Sequence, residues 1–351
     1  MYSVTNTPWR NAMFRPIEAT MAVMVITGGS AGAGKATALR FAKAGYDVAI
    51  IARDESGLQE AENACRQYGV RTQVISADVA DARSLRQAAA EIETQLGAIE
   101  VWINNAMTTV LAPFHLMSDD EFRRVTEVTY LGYVNGTRAA LEVMSPRNRG
   151  IIIQVGSALA WRSIPLQSAY CGAKAAIRGF TDAVRTELMH QRSRIQLTMV
   201  QLPGMNTTQF GWARNKMDKE MQPVPPVYQP EVAAEAIFSV VQRPVRELWV
   251  GKSTIQSIVG QFFFPSLLDR LMVNKAWEGQ LTAQAKRSEK PDDLYSAVRG
   301  EHSTRGTFSA GARQRSFNVS ADLPGKVASG VGIAFGLMIL RGLLRRPRKR
   351  R

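Results

Sequence analysis

A chain of 351 residues, 45% hydrophobic and 21% charged, has room for one large α/β domain with extensions or two small ones, and its composition excludes a disordered chain. Two cysteines, Cys65 and Cys171, exclude a disulfide framework and stand in no CxxC spacing, which fits a reducing, cytoplasmic setting; His115, His190 and His302 are too scattered to suggest a metal site. The net charge of +14 is not spread out: Arg341, Arg345, Arg346, Arg348, Lys349, Arg350 and Arg351, with no acid among them, supply half of it, so nucleic acid is a poor expectation for the chain as a whole.

Residues 1–20 are polar, lack the apolar core of a signal peptide and read as an N-terminal extension. From residue 21 the pattern alternates. Apolar runs predict buried strands at Val23–Thr27, Val48–Ala52, Thr72–Ser76, Val101–Asn104, Ile151–Val155, Gln196–Leu202 and Glu247–Val250. Amphipathic stretches at Ala33–Ala44, Leu58–Tyr68, Ala82–Leu96, Ser118–Met144 and Ala169–Gln191 predict helices between most of them. Ser118 and Glu121 form a capping-box pattern ahead of the fourth helix. The alternation predicts a Rossmann-type, doubly wound parallel sheet of about seven strands with helices on both faces, over residues 21–275. Five prolines between Pro203 and Pro230 break the pattern with an irregular segment. Ile255–Val273, which holds a proline and Asp269-Arg270, predicts a helix pair, or a dimer or lid surface, in preference to a membrane span. Residues 276–325 turn polar and are expected to be poorly ordered. Residues 326–351 form an apolar segment with a basic tail.

The first strand runs into Thr27-Gly-Gly-Ser-Ala-Gly-Ala-Gly34 and then a helix. Gly28, Gly32 and Gly34 allow a tight turn and close approach of backbone to a pyrophosphate, and the helix start offers free N–H groups and a positive dipole end. Its place after a buried strand, at the head of the alternation, makes this a nucleotide-binding loop. At the end of the second strand stands Arg53, followed by Asp54. An arginine there suits a ribose 2′-phosphate, an acid a free 2′-hydroxyl, so NADP(H) is expected over NAD(H).

The glycine segment, Asp78-Val79, Asn104-Asn105-Ala106, Ser157, Tyr170-Cys-Gly-Ala-Lys174 and Pro203-Gly204, in this order and spacing, resemble the short-chain dehydrogenase/reductase family over about residues 21–251. The resemblance implies that Ser157, Tyr170 and Lys174 are catalytic. It implies a cofactor site of Gly28, Ser30, Gly32, Gly34, Arg53, Asp78, Val79, Asn104, Ala106, Tyr170, Lys174, Pro203, Gly204 and Thr208. No metal is implied. Tyr170 and Lys174, four apart, share a helix face. A cation beside a phenol favours its phenolate and brings its pKa toward a useful range. Ser157 would hydrogen-bond the substrate oxygen. Two positions depart from the family pattern. Met107 stands where glycine is usual, and Thr129 where an asparagine usually holds a relay water, so Thr129 predicts a modified relay with a shorter reach.

The expected activity is the interconversion of an alcohol and a ketone, with Tyr170 as general acid/base. Met205, Phe210, Trp212, Met217, Met221 and Tyr228 in the irregular segment suggest an apolar carbonyl or alcohol substrate, although they could equally pack on the domain. The family resemblance implies a homo-oligomer. Val327–Leu340 is short of the roughly 20 residues that cross a bilayer. With its basic cluster it is read first as an anchor or interfacial helix on an anionic membrane surface, with a soluble docking helix and a nucleic-acid-binding tail as alternatives. The alternative for the whole chain is a catalytically weak or inactive nucleotide-binding scaffold or sensor tethered to a membrane.

Overall fold

The computed structural model describes residues 22–287, 291–300 and 302–322. The polar stretch 1–20 and the apolar segment with its basic tail lie outside them.

The alternating half folds as β1 (Val23–Thr27), α1 (Gly32–Lys43), β2 (Asp47–Ala52), α2 (Glu55–Arg66), β3 (Thr72–Ser76), α3 (Ala82–Gln95) and β4 (Ile99–Asn104), followed by the short β5 (Val110–Leu111). The helix expected over Ser118–Met144 comes in three successive pieces: α4 (Asp119–Thr126), a π-helical turn (Glu127–Leu131) and α5 (Gly132–Met144). Ser118 and Glu121 make the reciprocal capping box. Then follow β6 (Ile151–Ser157), α6 (Ser168–His190) and β7 (Gln196–Leu202). The irregular segment holds α7 (Gln209–Trp212), β8 (Arg214–Asn215) and β9 (Lys219–Met221). Beyond it lie α8 (Pro230–Gln242), β10 (Glu247–Val250), α9 (Lys252–Phe263), α10 (Pro265–Glu278), β11 (Leu281–Ala285) and β12 (Asn318–Ser320).

The central sheet runs β12-β10-β7-β6-β4-β1-β2-β3. Its seven expected strands are parallel, and an eighth, β12, pairs antiparallel with β10. Strand order reverses between β1 and β4, the kind of switch point at which open α/β sheets bind ligands beyond their carboxyl ends. Side chains of β1 alternate between two cores. Met24 and Ile26 pack with Phe41 of α1 and Ile237 of α8. Val23 and Val25 pack with Leu85 and Ile92 of α3 and with Ala139 of α5. Burial on both faces explains why the strands read as continuous apolar runs. The pair α9–α10 occupies the stretch Ile255–Val273, and among the described residues no helix is long and apolar enough to cross a membrane.

The described parts of residues 276–325 are seated on the domain. Leu294 is fully buried and His302 is 2% exposed, and β12 extends the sheet. No periodicity marks this segment because scattered backbone hydrogen bonds hold it. The amides of Gly32, Gln229 and Gly251 donate to the carbonyls of Ser303, Arg313 and Phe317. Such bonds use atoms that every residue has, so composition does not reveal them.

Candidate active site

The loop after β1 is built around the absence of side chains. Gly28 (φ +67°) and Gly32 (φ +56°) occupy the left-handed region. A Cβ on Gly28 would stand 2.7 Å from the Ala106 Cα, and one on Gly34 only 2.0 Å from the Gly28 carbonyl oxygen. From the neighbouring strand end, Asn105 braces the turn. Its Nδ2 donates to the carbonyls of Thr27 (3.0 Å) and Gly28 (3.1 Å), and its own amide donates to Thr27 Oγ1 (3.0 Å). The N-cap of α1 is Ala31, with no side chain to cap the helix; the Gly32 amide is taken by the Ser303 carbonyl (3.0 Å), which leaves the next amides of the first turn for an anion. Gly34→Ala is expected to force the helix off the turn at about 1–3 kcal/mol, and so to weaken binding of a nicotinamide cofactor about fivefold to a hundredfold. A fluorescence titration checks this, and unchanged affinity would contradict it.

A groove opens over this loop. Gly28, Ser30, Gly32 and Gly34 line it, with Arg53 from the end of β2, Asp78 and Val79 after β3, Ala106 and Met107 after β4, and Thr208. Asp78 accepts from the Ala80 amide (2.9 Å) and pairs with Arg124. Asp54 lines the groove as well, and its carboxylate accepts from the Gly57 amide (2.7 Å) and meets His302 at 3.3 Å. Arg53 donates through Nη2 to the Asp293 carbonyl at 2.5 Å, while its Nη1 is buried with no partner.

Asn104 is not in this groove. It is fully buried on the face of β4 shared with Trp102, accepts from Trp102 Nε1 (2.9 Å), and donates to Thr137 Oγ1 (3.1 Å) and Gln154 Oε1 (2.9 Å). The residue that reaches the loop is Asn105. Period-two alternation along β4, read one residue further, carries that signal. Asp293, Ala297, Val298 and His302 also line the groove, and nothing in their sequence announces it. Burial pushes the Asp293 carboxyl up to about 6, against a hydrogen bond from Thr108.

The groove lining does not include Ser157, Tyr170, Lys174, Pro203 or Gly204. Ser157 ends β6, Pro203 and Gly204 follow β7, and Tyr170 and Lys174 lie in the first two turns of α6. Ser157 beside the Tyr170 hydroxyl favours its phenolate, but burial is the larger effect and raises its pKa. Its ring packs in an apolar cluster with Val110, Ala169 and the fully buried Leu294. The Lys174 Nζ lies 5.7 Å from the Tyr170 ring centre. Burial pulls its pKa down to about 7. Thr129 does not face this group: its hydroxyl accepts from the Thr108 amide (3.0 Å) and donates to the Thr108 carbonyl (2.8 Å). The residue from that helix that does reach Lys174 is Tyr133, missed in the sequence although it stands one helical turn after Thr129.

The short-chain dehydrogenase family model matches residues 22–219. The chain belongs to that family. Within it, the uncharacterized oxidoreductase YxnA of Bacillus subtilis is 30% identical over 85% of this chain and 84% of its own. A fatty acyl-CoA reductase of Acinetobacter baylyi is 30% identical over 64% of this chain and 74% of its own. Among solved structures, an alcohol dehydrogenase of the archaeon Thermococcus sibiricus, complexed with 5-hydroxy-NADP, superposes with a TM-score of 0.57 at 25% identity. That likeness covers 65% of this chain and 95% of the other. The chain is therefore an oxidoreductase of the short-chain dehydrogenase type, and its family match ends well before the segment that supplies Asp293 and His302.

The irregular segment of this short-chain dehydrogenase turns most of its apolar residues inward, while Trp212 lines the groove against His302. Met205 and Tyr228 join the main core, and Phe210, Met217 and Met221 pack with Leu111, Leu166 and Trp277. Its cations are tied down as well: Arg214 pairs with Asp292 (2.9 Å) and Lys216 with Glu121 (2.7 Å).

Proposed function

We propose that the protein interconverts an apolar alcohol and ketone with NADP(H), using Tyr170 as the general acid/base. The observation that carries this reading is the meeting of Tyr170 with Ser157, with Lys174 one helical turn on, at the same carboxyl end of the sheet from which the glycine loop springs. The nicotinamide, when bound, supplies or accepts the hydride. In the direction of reduction Tyr170 donates its proton to the carbonyl oxygen, and Ser157 holds that oxygen in place. Lys174 favours the phenolate left behind.

The preference for NADP(H) is supported by Arg53. A buried guanidinium nitrogen without an acceptor is costly, and a phosphate oxygen on the adenosine ribose would satisfy it. Asp54, the nearby acid that a free ribose hydroxyl would call for, is already engaged by its helix and His302. The complex of the Thermococcus sibiricus enzyme with an NADP derivative agrees with this choice. The apolar substrate is supported more by the fatty acyl-CoA reductase than by the irregular segment, whose apolar side chains are largely spent on packing.

Fluorescence titration with NADPH and NADH, then NADPH oxidation with a panel of apolar ketones, tests the reading. Arg53→Ala is expected to weaken NADPH binding about tenfold to a hundredfold, the value of a charge-assisted hydrogen bond of about 1.5–3 kcal/mol, and to leave NADH binding near its original strength. An equal loss for both cofactors would refute the assignment of Arg53.

A further inference from the structure

Lys174 is 2% exposed, and its ammonium donates to the Tyr133 hydroxyl (2.9 Å) and the Val155 carbonyl (2.8 Å). An ammonium has three N–H donors and no acceptor. Two are spent on α5 and β6, which leaves one for the side where Tyr170 lies. Tyr133 is itself fixed: its hydroxyl donates to the same Val155 carbonyl (2.9 Å), so its oxygen is turned to accept from Lys174. Its ring centre also lies 4.6 Å from Nζ, within range of a cation–π contact. Thr129 offers no rival partner, because both roles of its hydroxyl are taken by the Thr108 backbone.

We propose that Tyr133 is the positioning residue of the proton-transfer pair, its hydroxyl and ring holding Lys174 in place and in its cationic form where a relay water was expected at Thr129. The proposal rests on the reading of Tyr170 and Lys174 given above. A buried ammonium is sustained by what accepts from it. The groups that meet Lys174 are Tyr133 from α5, the Val155 carbonyl from β6 and Tyr170 from its own helix; among the described residues no carboxylate acts on it. With no anion present, two oxygen acceptors and an aromatic face carry the stabilisation, and Tyr133 supplies one acceptor and the nearer face.

Tyr133→Phe keeps the ring and removes the acceptor. In the full chain labelled with 13C at lysine Cε, the Lys174 resonance, identified by its loss in Lys174→Arg, reports the ammonium's titration midpoint without any substrate. The midpoint is expected to fall by about one pH unit in Tyr133→Phe, a tenfold change in the ionisation constant, and to stay in place in Thr129→Val. An unmoved midpoint in Tyr133→Phe, or an equal shift in Thr129→Val, overturns the proposal. A second measurement needs no variant at Tyr133: nuclear Overhauser contacts between the Lys174 Cε protons and the Tyr133 ring are expected, and their absence overturns it too. Turnover of Tyr170→Phe tests the acid/base reading separately, so the two failures are distinguishable.

Discussion

Tyr170→Phe is expected to lower turnover by about a hundredfold to ten-thousandfold, the usual weight of a positioned general acid/base, and to leave NADPH affinity nearly unchanged. The ring packs against Val110, Ala169 and Leu294, and phenylalanine keeps those contacts, so the loss would belong to the hydroxyl. The pH dependence follows from the same group. Burial raises the Tyr170 pKa, while Ser157 beside it lowers it in part. Reduction needs the protonated phenol, so its rate should hold through neutral pH and fall as pH rises through the Tyr170 pKa. Oxidation needs the phenolate and should rise over the same range. Rates with NADPH and ketone, and with NADP+ and alcohol, would be measured across pH for both proteins. A variant that turns over normally, or that keeps the same pH limb, would remove Tyr170 from the mechanism.

Asn104→Ala is expected to destabilise the protein by about 4 kcal/mol, with little direct effect on cofactor contacts. Its side chain is the hub of a buried network of Trp102, Thr137 and Gln154. Removing it leaves the Trp102 N–H and the Gln154 carbonyl oxygen without those partners, at about 1–3 kcal/mol for each unpaired group. The space around it does not collapse easily, since a Cβ on Gly136 would already stand 2.0 Å from Oδ1. Denaturant unfolding measures the loss, and NADPH titration under native conditions separates it from binding. If stability is unchanged and affinity falls, Asn104 is a cofactor residue after all. Asn105→Ala should show the opposite balance, because its amide braces Thr27 and Gly28 at the phosphate loop.

How far the site was legible depends on the range over which each residue acts. The glycine loop, the capping box at Ser118 and the pairing of Tyr170 with Lys174 are local matters. Each is decided by a turn, a helix end or a spacing of four, which the chain carries within a few residues. The two asparagines after β4 are chemically identical, and what separates them is which sheet face each meets. Thr129 and Tyr133 share a helix face, and only the approach of α6 and of the backbone at Thr108 decides which of them reaches Lys174. The groove-lining residues Asp293 and His302 lie furthest from any sequence signal, because they are held by contacts made far away in the chain.

By itself the sequence determined the parallel α/β sheet and the glycine turn after its first strand, since hydrophobic periodicity and turn chemistry act between near neighbours, and its resemblance to the family pointed to Ser157, Tyr170 and Lys174. Only the tertiary structure decided that Asn104 is a core residue, that Tyr133 partners Lys174, that most apolar side chains of the irregular segment pack inward, and that Asp293, Ala297, Val298 and His302 line the groove. Those outcomes depend on which backbone and side-chain groups meet after long-range packing, and no local pattern in the chain encodes that meeting.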